Sequence, residues 1–263
     1  MNMTEMTTTY SFPLLTLEET DSTNRYLTQL CDREHVAEYT TVCADYQTAG
    51  KGQRGNTWES ERGKNLLFSL KVHPHFLEAG QMFRISQVAA LAVHDAFARY
   101  TEGISIKWPN DVYWNDRKIC GMLIENDWMG KQLEQSIIGI GMNVNQETFI
   151  GDAPNPVSLR QILGQDTERR FVLELFMESF QKYYRMLQRG EADMVDAQYR
   201  KALYRKEGWH LYEDEGGRFR ARIADVEPDG HLILEDEQGQ QRKYAFKEVR
   251  YILNGPQEQE LTL

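Results

Sequence analysis

Between Ile104 and Val144 the chain passes through four short apolar segments, Ile104–Trp108, Val112–Trp114, Ile119–Asn126 and Ile137–Val144. They read as successive strands, with Asn115-Asp116 as a hairpin turn between two of them. Such a run constrains the fold to a sheet whose neighbours in sequence largely pair antiparallel. Further strands are expected at Phe12–Leu17, Tyr39–Tyr46 and Asn65–Val72. Helical spacing of Ile85, Val88, Ala92 and Val93 predicts a helix over Gln81–Tyr100. Ser22 is placed as the N-cap of an earlier helix carrying Tyr26, Leu27 and Leu30. Phe171–Leu187 and Ala192–Tyr204 read as amphipathic helices, the first with Phe171, Leu175, Phe180 and Tyr184 on its apolar face.

The pattern changes after Lys206. Short strands then alternate with the turn signals Glu215-Gly216-Gly217, Pro228-Asp229-Gly230 and Glu237-Gln238-Gly239. A small β domain, a compact barrel, is expected over residues 207–263, following a larger domain over residues 1–206. The fold class is therefore α+β: a mixed, largely antiparallel sheet with helices, plus a small C-terminal β-barrel. The tail from Pro256 to Leu263 is polar and is expected to fray.

The formal net charge of −10 leaves no basic field for nucleic acid or an anionic membrane surface. No apolar run approaches the roughly 18 residues of a membrane span. Met1–Thr20 carries no Lys or Arg and does not read as a signal peptide. Cys31, Cys43 and Cys120 are odd in number and widely spaced, which fits reduced structural thiols and a cytoplasmic setting. His73-Pro74-His75 reads as a turn and not as a metal site.

Three segments carry chemistry. Ala44–Trp58 holds glycines at 50, 52 and 55, which let backbone amides approach an anion, with Lys51 and Arg54 supplying positive charge. It is not a P-loop, which would need Gly at 45 and Ser or Thr at 52, where this chain has Asp45 and Gly52. In the second segment, Pro109 biases Trp108 toward an extended backbone, so Lys107 and Trp108 finish a strand. Asn110 and Asp111 open a turn there, either as simple turn chemistry or as functional groups. Lys118 lies among apolar Ile119, Met122 and Ile124, so it either snorkels to water or points into a pocket to meet an anion. The third segment, Ser136–Asn145, is a strand whose Gly139 and Gly141 suggest close approach of a ligand or another backbone. It ends at Asn143, which needs partners if buried.

Together with Asp21-Ser22-Thr23-Asn24, these segments resemble the biotin–protein ligase family. Its signatures are a Ser-Thr-Asn start, a glycine- and arginine-rich loop closing on Trp, Lys-Trp-Pro-Asn-Asp, Lys-x-x-Gly, and a glycine-rich strand ending in Asn. All five occur here in that order between Leu17 and Asn145.

The resemblance implies an ATP-dependent enzyme that forms biotinyl-5′-AMP and passes biotin to a lysine of a biotin carboxyl carrier protein or domain of a carboxylase. Biotin, ATP and Mg2+ are the implied ligands, and the implied C-terminal domain is SH3-like. By the same resemblance, Ser22, Thr23, Asn24 and Gln47 line the biotin pocket, although Ser22 also serves as a helix cap. Gly50, Lys51, Gly52 and Gln53 belong to a loop that orders over the adenylate, and Gly121 lets the ligand approach its strand. Lys118 matches the lysine that meets the biotin carboxylate and the α-phosphate; Lys51 and Arg54 assist it. Arg54, Trp58, Lys107, Asn110, Asp111 and Asn143 fall on the nucleotide side, with Asp111 as a magnesium ligand. Trp58 could equally be the core anchor of its loop.

Three loop positions depart from the resemblance. Lys51, Gln53 and Asn56 stand where relatives commonly carry arginine, so adenylate retention is expected to be weaker. Many bacterial relatives begin with a helix-turn-helix domain; only about 20 residues precede Asp21 here, so no nucleic-acid partner and no membrane partner are expected. A homodimer is compatible with the sequence. Lipoate–protein ligase is the alternative within the superfamily, and a non-catalytic biotin-binding regulator is the alternative outside enzymes.

Overall fold

The computed structural model describes residues 12–151 and 155–253, without the side chain of Arg54. The expected fraying tail lies outside the described residues. Seven strands form the main sheet: β1 (Leu14–Leu17), β2 (Thr41–Ala44), β3 (Leu66–Val72), β4 (Ile104–Lys107), β5 (Asp111–Trp114), β6 (Arg117–Met129) and β7 (Gln132–Met142). Their spatial order is β1-β2-β3-β7-β6-β5-β4, antiparallel except for the parallel pair β1–β2. The expected antiparallel run from Ile104 onward is therefore observed. Asn115 takes the positive φ of 50° that the β5–β6 turn requires.

Strand alternation gives the sheet two different faces. On one, Phe68, Leu70, Ile138 and Ile140 share a single core with α2 (Phe83–Ala98), α4 (Arg169–Gln188) and α5 (Ala192–Lys201), and the ring of Phe68 meets that of Phe176 on α4 with centroids 5.0 Å apart. On the other lie Leu67, Ser69, Gly139, Gly141, Gly121 and Leu123, covered at one end by α1 (Thr23–Arg33). Leu27 of α1 packs there with Val36, Val42 and Ile137.

The sequence reading needs three corrections. The β6–β7 hairpin extends outward to Met129 and Gln132, because its outer half, Asn126 to Gln135, is too polar to show a strand pattern. A register shift interrupts it between Asp127 and Trp128. On α4, Phe171 is 51% exposed, and the buried stripe runs through Val172, Phe176, Phe180 and Tyr184. Phe171 stands about 140° round the helix from Phe176, off the stripe. A short helix, α3 (Leu159–Leu163), was not anticipated, although its capping box of Ser158 with Gln161 is a legible signal.

The C-terminal strands β8 (His210–Asp214), β9 (Gly217–Val226), β10 (Leu232–Asp236), β11 (Gln241–Tyr244) and β12 (Arg250–Tyr251) form a second sheet in the order β11-β10-β9-β8-β12, all antiparallel. The fold is thus α+β with a second β unit, as expected. Its turn docks on the first: Phe83 N donates to Pro228 O at 3.2 Å, and Trp108 Nε1 to Gly230 O at 2.9 Å. No helix among the described residues is long and apolar enough to cross a membrane.

Candidate active site

One cross-strand row organises the site. Lys107 of β4 pairs with Asp111 of β5, Asp111 with Gly121 of β6, and Gly121 with Gly141 of β7. Directly paired residues share a face, so two charged groups and two glycines stand side by side. They face a cavity of about 850 Å3.

Lys118 reaches the same cavity only because β6 is irregular. Residues 118 and 121 are an odd number of positions apart, so a regular strand would put them on opposite faces. The β5–β6 register shifts between Val112, which pairs with Cys120, and Tyr113, which pairs with Lys118. The extra residue, Ile119, is fully buried on the core side. This bulge swings Lys118 back over Gly121, where a Cβ on the glycine would lie 3.2 Å from Lys118 Nζ. Lys118 therefore points into the pocket and does not snorkel to bulk water.

There Lys118 Nζ lies 2.7 Å from Asp111 Oδ1, with only 19% and 15% of the two side chains exposed. The contact is an ion pair by distance but is off-line for a hydrogen bond, which leaves Asp111 Oδ1 buried without an aligned donor. Lys107 sits over the rings of Tyr251 at 4.9 Å and Tyr113 at 5.3 Å. Burial pushes the Lys107 ammonium below the usual lysine range, a shift that Asp111 partly opposes.

The loop from Gly50 to Trp58 is a narrow ribbon. Trp58 N donates to Gly50 O at 2.9 Å, Lys51 bridges Thr57, and Gly52 N donates to Asn56 O at 2.7 Å around a 3-10 turn at Gln53–Gly55. Gly50 itself does not line the cavity; it allows the ribbon to close, since a Cβ there would meet Trp58 O at 2.5 Å. The ribbon delivers Trp58 onto the paired glycines. A Cβ on Gly141 would lie 2.4 Å from the indole, and one on Gly121 2.7 Å. Trp58 Nε1 is buried there without a partner, and Lys118 Nζ stands 5.5 Å from the ring.

A buried polar network closes the end under α1. Ser22, Thr23 and Asn24 are each less than 5% exposed. The Thr23 amide and hydroxyl donate to Gln47 Oε1 at 2.8 and 3.1 Å. Asn24 Nδ2 donates to Glu125 Oε2 at 2.7 Å and Leu123 O at 3.3 Å, while Ser69 Oγ lies 2.6 Å from Asn24 Oδ1. Gly139 accommodates this amide, since a Cβ there would fall 2.2 Å from Asn24 Oδ1. The extended Ser22 precedes α1 as expected, but its side chain makes no cap hydrogen bond.

Asn110 locks β6 to the Pro109 turn: its Nδ2 donates to Met122 O at 2.8 Å, and its own carbonyl accepts from Met122 N at 2.9 Å. Asn143 is 3% exposed, with its backbone N–H on Ile119 O at 2.9 Å. The cavity thus gathers Ser22, Thr23, Asn24, Gln47, Lys51, Gly52, Gln53, Trp58, Lys107, Asn110, Asp111, Lys118, Gly121 and Asn143 from the sequence reading. Arg54 contributes its backbone to the ribbon, its side chain lying outside the description.

Sequence reasoning did not anticipate Glu125 or Ser69, whose roles depend on the strand register. Nor did it anticipate the wall that the C-terminal unit supplies through Phe246, Lys247, Arg250 and Tyr251. No local signal connects residues so far apart in the chain.

Residues 16–143 match the model of the biotin/lipoate A/B protein ligase family. The chain is 32% identical over 180 residues to a biotin–[acetyl-CoA-carboxylase] ligase of Paracoccus denitrificans, covering 65% of this chain and 72% of that protein. The chain belongs to the biotin/lipoate A/B protein ligase family. This family member is also 29% identical over 225 residues to the bifunctional ligase/repressor BirA of Bacillus spizizenii, covering 80% of this chain and 66% of BirA. It therefore spans just under two thirds of the length of that relative. The structure of the biotin protein ligase from Aquifex aeolicus in complex with biotin and ATP superposes with a TM-score of 0.76 at 25% identity, covering 92% of this chain and all of the other.

Proposed function

We propose that this family member is an ATP-dependent biotin–protein ligase that forms biotinyl-5′-AMP and transfers biotin to a lysine of a biotin carboxyl carrier domain. The observation that carries the reading is the Lys118 ammonium held over a Cβ-free floor by Asp111, beside a closed polar pocket. Activation brings a carboxylate onto a phosphate, two anions that repel. A fixed cation between them lowers that barrier without changing its own protonation state.

The biotin carboxylate oxygen attacks the α-phosphorus of ATP, and the bond from that phosphorus to the bridging oxygen of the β-phosphate breaks, releasing pyrophosphate. Lys118 neutralises the developing charge, with Lys51 and Arg54 of the ribbon assisting. The Gly50–Gln53 segment covers the adenylate. Ser22, Thr23, Asn24 and Gln47 hold the ureido end of biotin, and Gly121 admits its tail. Trp58, Lys107, Asn110 and Asn143 serve the nucleotide. A neutral carrier-lysine amine then attacks the acyl carbon, AMP leaves, and the amine proton passes to solvent. No enzyme nucleophile is required.

Magnesium enters with ATP as part of the substrate. A single protein carboxylate suits an ion held mainly by phosphates and water, and Asp111 Oδ1, buried without an aligned donor, fits that place. Among the described residues, the three metal-type ligands within reach of one another are Glu227, Asp229 and His231, and none of them lines the main cavity. We place the catalytic domain in residues 1–206 and the β domain in residues 207–263, in a cytoplasmic protein that can act as monomer or homodimer.

ATP–pyrophosphate exchange with biotin and lipoate side by side tests the reading. Biotin-dependent, magnesium-dependent exchange is expected. Exchange with lipoate alone would make the chain a lipoate ligase, and none with either would make it a binding protein.

A further inference from the structure

Strand register sets three residues in a row across the pocket face of the main sheet. Ser69 of β3 pairs with Gly139 of β7, and Gly139 pairs with Leu123 of β6. The Asn24 carboxamide bridges this row, passing over the position a Gly139 Cβ would take. Its Nδ2 reaches the Leu123 carbonyl and the Glu125 carboxylate, while its Oδ1 meets Ser69 Oγ. Glu125 stands two residues beyond Leu123 on the same strand and so projects from the same face.

The chemistry of these partners dictates which way round the amide sits. A backbone carbonyl and a carboxylate have no proton to give, so the end of Asn24 that faces both must be its NH2 group. The Ser69 hydroxyl can donate, and its 2.6 Å approach suits the carbonyl end. Asn24 and Gly139 line the main cavity, whereas Ser69 and Glu125 do not. Ser69 is fully buried behind the row, and Glu125 is exposed at its rim. Glu125 therefore acts on a bound ligand only through Asn24.

Building on the reading that Asn24 holds the ureido end of biotin, we infer that Glu125 is a positioning residue that fixes the polarity of that contact. It engages the Asn24 Nδ2, so that Oδ1 meets the cavity with a lone pair to spare, as a hydrogen-bond acceptor. The arrangement selects a ring that carries N–H donors, which a cyclic urea has and the dithiolane of lipoate lacks. A site built to pair an N–H rejects a ring without one more sharply than apolar fit does.

Isothermal titration of biotin into the full chain reads this without turnover. Glu125→Gln keeps the size but admits either orientation of Asn24; Glu125→Lys offers only donors and favours the reverse one. Biotin is an anion, so surface charge alone would make Glu125→Lys bind it more tightly. The positioning role has the opposite sign. Affinity should fall roughly three- to ten-fold in Glu125→Gln and further in Glu125→Lys, with melting near wild type. In exchange assays KM for biotin should rise by the same factor, while kcat and KM for ATP hold. In an Asn24→Ala background neither substitution should change biotin affinity further. Equal or tighter binding in Glu125→Lys, or the same loss with Asn24 already removed, would overturn the assignment. A wild-type chain that binds no biotin would sink the ligase reading itself, and this inference with it.

Discussion

The Trp58 indole rests where Gly141 lacks a side chain, at a distance of 2.4 Å from the position a Cβ would take. The two residues therefore define one another: the ribbon can close only on a strand that offers no methyl group. Gly141→Ala should push the indole off the floor. The expected result is faster tryptic cleavage after Lys51 and Arg54 and a shift in tryptophan emission. In a Trp58→Ala background, adding Gly141→Ala should leave cleavage unchanged. If Gly141→Ala cleaves at the wild-type rate, the indole and the glycine are not coupled.

Lys118→Ala should lower the adenylation rate by about 10²- to 10³-fold, the usual consequence of deleting one preorganised electrostatic stabiliser. The lone Asp111 charge left behind lowers stability as well. Lys118→Ala with Asp111→Asn should recover the melting temperature without recovering rate. A rapid-quench measurement of biotinyl-5′-AMP formation, beside thermal melts, separates the two effects. A Lys118→Ala enzyme of near-normal rate would remove the central claim.

Biotin with ATP should protect the ribbon from trypsin at Lys51 and Arg54. Arg62 should be cut more slowly in the free protein, since it is paired with Glu19 and lies 4.6 Å from the Tyr46 ring. Gln53→Arg should slow release of labelled adenylate by up to about 10- to 100-fold, the contribution of one hydrogen bond to a charged group. An unchanged release rate would mean that charge from elsewhere already holds the intermediate.

Lys107 sets a pH signature on stability. Its folded pKa lies below the unfolded value near 10.5, so between the two the unfolded chain binds more protons and stability rises with pH. Below the folded pKa both states are charged, and the burial penalty is constant. Lys107→Met should therefore be more stable than wild type at pH 7, with the gap narrowing as pH climbs toward 10.5. Its exchange activity should fall. Denaturant titrations at a series of pH values check this, and parallel curves for the two proteins would contradict it.

Much of this was legible from the residues alone. The strands of the main sheet, the Asn115-Asp116 turn and the change of pattern after Lys206 follow from alternation and turn chemistry. The motifs brought fourteen cavity-lining residues to notice. Other features depended on relations that a one-dimensional pattern does not carry. Ser69 and Glu125 become important only because strand register sets them beside Asn24. Phe171 looked buried because it is apolar, yet a helix buries a face and not a composition. Lys247 gave no signal at all: a lysine after phenylalanine in a turn says nothing of the wall it joins.

The bulge at Ile119 has a consequence for anyone moving this chemistry to another scaffold. Copying Lys118 and Gly121 at their native spacing onto an unbroken ribbon would send the ammonium through to the oily side, opposite the glycine. The portable unit is the defect together with Lys118 and Gly121 on either side of it. A host sheet must be given the irregularity first and the lysine second.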